Sequence, residues 1–162
     1  MKITLITLLF LTLFGVSCAS SRKKVPTADL VPSDFLYKLD RSPCFGTCPV
    51  YKVQVTQDGL FEYTGIKFTD RSGVWTRQIS PEERERLLRA IVDAGFRTLK
   101  SEYKLEGISD AVSVTHELTW DKETFKILNQ GNGPASLNKI ETLVDSISKL
   151  PGFIFVRPLQ DE

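Results

Sequence analysis

The stretch Arg41-Ser-Pro-Cys44-Phe-Gly-Thr-Cys48-Pro49-Val-Tyr51 sets two cysteines four positions apart around a glycine, with a proline directly after the second. Three chemistries suit such a pair. As a disulfide it closes a ring of five residues, for which loop entropy gives about 2 kcal/mol before strain is subtracted, and Gly46 lets the turn tighten. As a thiol-redox site it needs one cysteine with a lowered pKa, at a helix N-terminus or beside a cation. Here Cys48 leads into Pro-Val-Tyr-Lys-Val-Gln-Val, which reads as a strand, and Arg41, though near in sequence, is a weak argument alone. As a metal site, Cys-x-x-x-Cys-Pro with a distant histidine resembles the copper-binding pattern of Sco-type chaperones. The third ligand would then be His116, the single histidine of the chain. The export context described below favours the disulfide.

Other residues offer weaker chemistry. His116 lies on the apolar face of an alternating segment, between Val114 and Leu118, where a lone histidine is expected to be a satisfied core residue. No nucleophile-elbow sequence accompanies it. Glu82-Glu83 follow Ser80-Pro81 and read as helix-start residues favoured by the dipole. Gly131-Asn132-Gly133 precedes a helix but lacks the lysine and spacing of a phosphate loop, so a turn is expected. Trp75, Trp120, Tyr51, Tyr63 and Tyr103 are expected in the core rather than along a groove. No catalytic constellation and no cofactor motif emerges, and the domain is expected to be non-enzymatic.

The N-terminus places the chain. Lys2 is followed by an apolar run from Ile3 to Val16, too short to span a bilayer comfortably and suited to an export signal. Val16-Ser17-Cys18 resembles a bacterial lipoprotein cleavage site, which makes residues 1–17 a signal peptide and Cys18 the lipidated, palmitate-bearing residue. Residues 18–33 read as a polar, proline-containing tether. Ala19 after the cysteine fits sorting to the outer membrane, with the domain facing the periplasm. The chain has 162 residues and 21 Lys+Arg against 20 Asp+Glu. Loss of Lys2 balances the charge, which excludes a nucleic-acid partner on electrostatic grounds. The expected contacts are the membrane, through the lipid anchor, and an envelope protein or glycan.

Residues 34–157 read as one domain. Phe35, Tyr37 and Leu39 alternate with polar neighbours, as do Tyr51, Val53 and Val55, and Asp58-Gly59 supplies a hairpin turn into Phe61 and Tyr63. Gly65 is expected to end or kink that strand, with a short strand pair following at 66–68 and 74–79. Ser80-Pro81-Glu82-Glu83 starts a helix with the stripe Leu87, Leu88, Ile91, Val92, and Gly95 stops it. Residues 100–111 read as a loop, Val112 to Trp120 as a half-buried strand, and Phe125 with Ile127 as its hairpin partner. A second helix carries Leu137, Ile140, Leu143, Val144 and Ile147 and ends at Pro151-Gly152, before a last edge segment at 153–156. The predicted fold is α+β: a two-layer sandwich of a mainly antiparallel sheet, five to six strands, with two helices on one face.

The segments 42–65 (SPCFGTCPVYKVQVTQDGLFEYTG) and 78–96 (QISPEERERLLRAIVDAGF) resemble a family of bacterial exported lipoproteins carrying domain of unknown function 6438. Its pattern runs Cys-Phe-Gly-Thr-Cys-Pro-x-Tyr, strand, Asp-Gly, return strand and helix, then an aspartate-containing loop, a hairpin and a second helix. Asp110 and Gly133–Ala135 stand at the matching later places, and the resemblance covers about residues 35–150. It implies the architecture above and carries no activity with it. Two functions therefore stand side by side: a non-enzymatic, lipid-anchored binding or accessory module, and a thiol-redox or copper protein using Cys44, Cys48 and His116.

Overall fold

The computed structural model describes residues 26–107 and 111–160. Cys18, the tether up to residue 25 and Asp110 lie outside them. After a 3-10 turn at Thr27–Asp29, the chain forms β1 (Leu36–Arg41), β2 (Val50–Thr56), β3 (Leu60–Lys67), β4 (Gly73–Gln78), α1 (Pro81–Ala94), β5 (Glu102–Tyr103), β6 (Val114–Trp120), β7 (Glu123–Asn129), α2 (Ala135–Ser148) and β8 (Ile154–Arg157). The fold is α+β. Its sheet has eight strands in the order β5-β7-β6-β1-β2-β3-β4-β8. All neighbours are antiparallel except β5 and β7.

Eight strands replace the five to six expected from periodicity. Two of them carry no periodic signal. β5 is two residues long and exists because it pairs with β7, whereas β8 is exposed along its whole length and shows no alternation. Gly65 does not end its strand: β3 runs through it to Lys67, so residues 66–67 extend β3 instead of starting a new strand. Added to Gly65, a Cβ would lie 1.7 Å from the Arg71 carbonyl oxygen, because the 68–72 turn folds back over the strand at that point. Only glycine leaves that room.

The alternation decides the core. Tyr37 and Leu39, Tyr51, Val53 and Val55, Phe61 and Tyr63, and Val114, His116 and Leu118 are buried, and the residues between them face outward. Both helices contribute to the same core, α1 through Leu87, Leu88 and Ile91 and α2 through Leu137, Ile140 and Val144. The start of α1 is a complete capping box: the Glu83 N–H donates to Ser80 Oγ (3.2 Å) and the Ser80 N–H to Glu83 Oε2 (2.7 Å). Gly95 closes it in a left-handed conformation, φ 65°. No described helix is long and apolar enough to cross a membrane.

Candidate functional site

β1 and β2 are joined by the cysteine loop, and their last registered pair is Arg41 opposite Tyr51. The motif that stands out in the sequence is therefore a lid-like loop held between these two side chains. Cys44 and Cys48 form a disulfide with Cα atoms 5.7 Å apart, within the usual range. Ser42 fixes the base of the loop to the start of β6. Its N–H donates to the Ser113 carbonyl (2.9 Å), and its hydroxyl accepts from the Ser113 N–H (2.9 Å). At the tip, Phe45 is 94% exposed. A cleft of 330 Å³ lies against the pair, lined by Ser42, Cys44, Phe45, Ala111 and Gln130 among others.

Beneath the loop a polar cluster links sheet and helix. Arg41 donates from Nε to Tyr51 Oη (3.3 Å) and from its terminal nitrogen to Asp145 Oδ2 (3.2 Å), and Tyr51 Oη donates to Asp145 Oδ1. Burial first, then the bond to Asp145, holds the Tyr51 phenol protonated far above its ordinary range. Burial works against the Arg41 charge, yet Tyr51 and Asp145 outweigh it and raise its pKa. Tyr63 packs beside Tyr51 with ring centroids 5.3 Å apart. Arg71 reaches across from the β3–β4 turn, donating to the carbonyls of Ser148 (2.6 Å) and Leu150 (2.9 Å) at the end of α2. Together these groups line a cleft of 370 Å³ whose rim carries Phe68, Asp70 and Lys149.

A second polar chain runs inside the core. His116 is fully buried; its Nδ1 bonds Tyr37 Oη (2.7 Å) and its Nε2 bonds Glu141 Oε1 (3.1 Å). Glu141 also accepts from Asn129 Nδ2 (2.8 Å), and Asn129 Oδ1 accepts the N–H groups of Gly131 (3.0 Å) and Gly133 (2.9 Å). Burial, then the Glu141 charge, pushes the Tyr37 hydroxyl well above its usual pKa. In this Tyr–His–Glu chain Tyr37 and His116 are without exposed surface, and the Glu141 side chain keeps 16%. This polar chain satisfies buried polar groups and pins α2 to the sheet.

These placements decide several expectations. The structure does not bring His116 to the cysteines: both ring nitrogens are engaged in the core, and Cys44 and Cys48 are bonded to each other. No group of three metal-ligating side chains occurs among the described residues. Gly131 and Gly133 turn their N–H groups onto Asn129, as a turn does, and Glu83 caps α1. Trp120 packs on Phe35 and Trp75 on Phe155, whereas Tyr51 and Tyr63 meet at the larger cleft.

Sequence reasoning missed Asp145, Arg71 and Glu141. Glu141 and Asp145 each stand one position after an apolar stripe residue of α2 and four apart. That places both carboxylates on the flank that meets the sheet. This spacing is the signal that was available. Arg71 left none, because its partners are backbone carbonyls more than seventy positions away.

No curated protein matches this chain. A family model matches residues 36–148, more than two thirds of the chain, and its span runs from the first residue of β1 to the last of α2. The disulfide loop, the two helices and the Arg41, Tyr51, Asp145, His116 and Glu141 side chains all fall within this match, and the chain belongs to the family named domain of unknown function (DUF6438).

Proposed function

We propose that this chain is an exported envelope protein, lipidated on Cys18 and held at the outer membrane on the periplasmic side, whose working element is the Cys44–Cys48 loop. In this reading the two helices form one layer over the sheet, and the disulfide stands outside that layered body. The observation that carries the proposal is a formed disulfide at the surface, beside a phenylalanine that is 94% exposed. The 330 Å³ cleft gives a partner thiol an approach to Cys44.

The chemistry is exchange with a protein dithiol. A partner thiolate attacks Cys44 Sγ, the intramolecular S–S bond breaks, and Cys48 leaves as a thiolate. The partner's second thiolate then attacks its own sulfur in the mixed disulfide and releases Cys44. The chain ends reduced by two electrons and the partner oxidised by two. Equilibration against a glutathione redox buffer, read by a thiol-trapping mass shift, tests this. A potential above about −300 mV supports exchange, and a lower one makes the pair a structural staple.

A second reading is favoured by a different observation, the 370 Å³ cleft with its prearranged Arg41–Tyr51–Asp145 cluster. Here the domain is a non-enzymatic module that binds an envelope protein or glycan, and the disulfide serves to fix the loop above the cleft.

A further inference from the structure

We infer that the cleft between the β3–β4 turn and the end of α2 is a saccharide-binding site, in which Asp145 accepts hydroxyl groups and Phe68 covers the apolar face of a sugar ring. This rests on the binding-module reading above and names its ligand class. The volume, 370 Å³, falls in the range of small-ligand sites and suits one or two sugar rings.

The charges of the cleft select among ligands. Arg41, Arg71 and Lys149 face Asp70 and Asp145 across the same space. A phosphate or other compact anion meets two carboxylates there, and a cation meets three positive groups. Neither guanidinium is free to re-aim. Arg41 is committed to Tyr51 and Asp145, and Arg71 to the carbonyls of Ser148 and Leu150 while stacked 4.9 Å from the Phe153 ring. A neutral ligand with many hydroxyls, each both donor and acceptor, suits this alternation of signs.

Asp145 is the central group. Its two oxygens are each held by one protein donor, Tyr51 on Oδ1 and Arg41 on Oδ2, and its side chain is 37% exposed. A carboxylate has about four lone-pair sites, so acceptor capacity remains on both oxygens for a vicinal diol. The group is already oriented by these two donors, which lowers the ordering cost of binding.

Phe68 supplies the second, independent observation. It is 48% exposed at the rim of the cleft and adopts φ 55°. Positive φ is uncommon for a bulky residue and concentrates at ligand clamps. The Lys67 ammonium lies over one face of its ring, 4.9 Å from the centroid, and the other face attracts the partly positive C–H groups of a pyranose.

The test uses saturation-transfer NMR on the full chain with methyl glycosides of glucose, galactose and N-acetylglucosamine and their trisaccharides at millimolar concentration. One of these is expected to bind. Asp145→Asn should weaken it about tenfold, the worth of one hydrogen bond to a charged group, and Phe68→Ala about fivefold. Lys126→Ala, exposed on β7 and outside the cleft lining, should leave it unchanged. Phe68 is a surface residue, so its variant stays informative if Asp145→Asn impairs folding, which thermal melting reports. Binding that is indifferent to both cleft variants overturns the site. Should no saccharide bind, a photo-reactive residue in place of Lys149 is irradiated in intact envelopes. A protein adduct then overturns the saccharide class and leaves the binding module standing, and no adduct of any kind overturns both.

Discussion

Replacing His116 by leucine is the sharpest probe of the buried polar chain, because the cost depends on what is left behind. The substitution nearly conserves volume but removes two hydrogen bonds, to Tyr37 Oη at 2.7 Å and to Glu141 at 3.1 Å. Glu141 keeps the donor Asn129 Nδ2, so the orphan is the Tyr37 hydroxyl, which has no exposed surface. One lost bond plus one buried unsatisfied hydroxyl gives about 3 kcal/mol. Tyr37→Phe alone orphans His116 Nδ1 and costs about 2 kcal/mol by the same reasoning. The double variant leaves neither orphan. It should cost about 2 kcal/mol for the two lost bonds, less than His116→Leu alone and well under the additive sum of about 5 kcal/mol, a coupling of about 3 kcal/mol. Urea unfolding followed by circular dichroism measures all four corners of the cycle. With about 4 °C per kcal/mol for a domain of this size, His116→Leu lowers Tm by about 12 °C. Additivity within about 0.5 kcal/mol would refute the reasoning and show that His116 and Tyr37 do not depend on each other.

Cys44→Ser with Cys48→Ser should lower stability by about 2 kcal/mol, the loop-entropy worth of so small a ring, with an unchanged circular dichroism spectrum; a loss well above this means the bond carries more of the fold than a loop staple does. Gly65→Ala should be severely destabilising, beyond about 3 kcal/mol, since its Cβ would lie 1.7 Å from a backbone oxygen; a thermal melt within a few degrees of the parent would contradict the close approach. Acid sensitivity should trace partly to Glu83. Burial raises its pKa, but the Ser80 N–H and the Arg77 guanidinium outweigh that and hold it below the ordinary value. Its contribution is therefore present above the unfolded-state value, roughly 4.3, and is lost as pH falls through the lower folded value. Glu83→Gln should flatten that part of the stability–pH profile, and an unchanged acid limb would assign the sensitivity elsewhere.

How much of this was legible in the amino-acid order depends on the range of the physical cause. Wherever the cause is local, the sequence was sufficient. Ser80, Pro81, Glu83 and Gly95 bound α1 by backbone capping within a few residues, and the period-two pattern around Tyr37, Val53 and His116 told which side chains turn inward. The cysteine spacing allowed a disulfide, and it formed. β8 falls on the edge segment expected at 153–156, whereas β5 escaped because a two-residue strand is defined by its partner and not by its own residues. The same holds for the candidate cleft. Arg41 and Tyr51 bracket the cysteine motif in sequence, but only the β1–β2 register makes them opposite neighbours. Only the packing of α2 on the sheet sets Asp145 between them and brings Glu141 to His116. A carboxylate on the flank of a helix reads as a solvated residue until the surface it meets is known. Tertiary contact decided its partners, because a hydrogen bond depends on proximity in space and the contributing residues stand about a hundred positions apart.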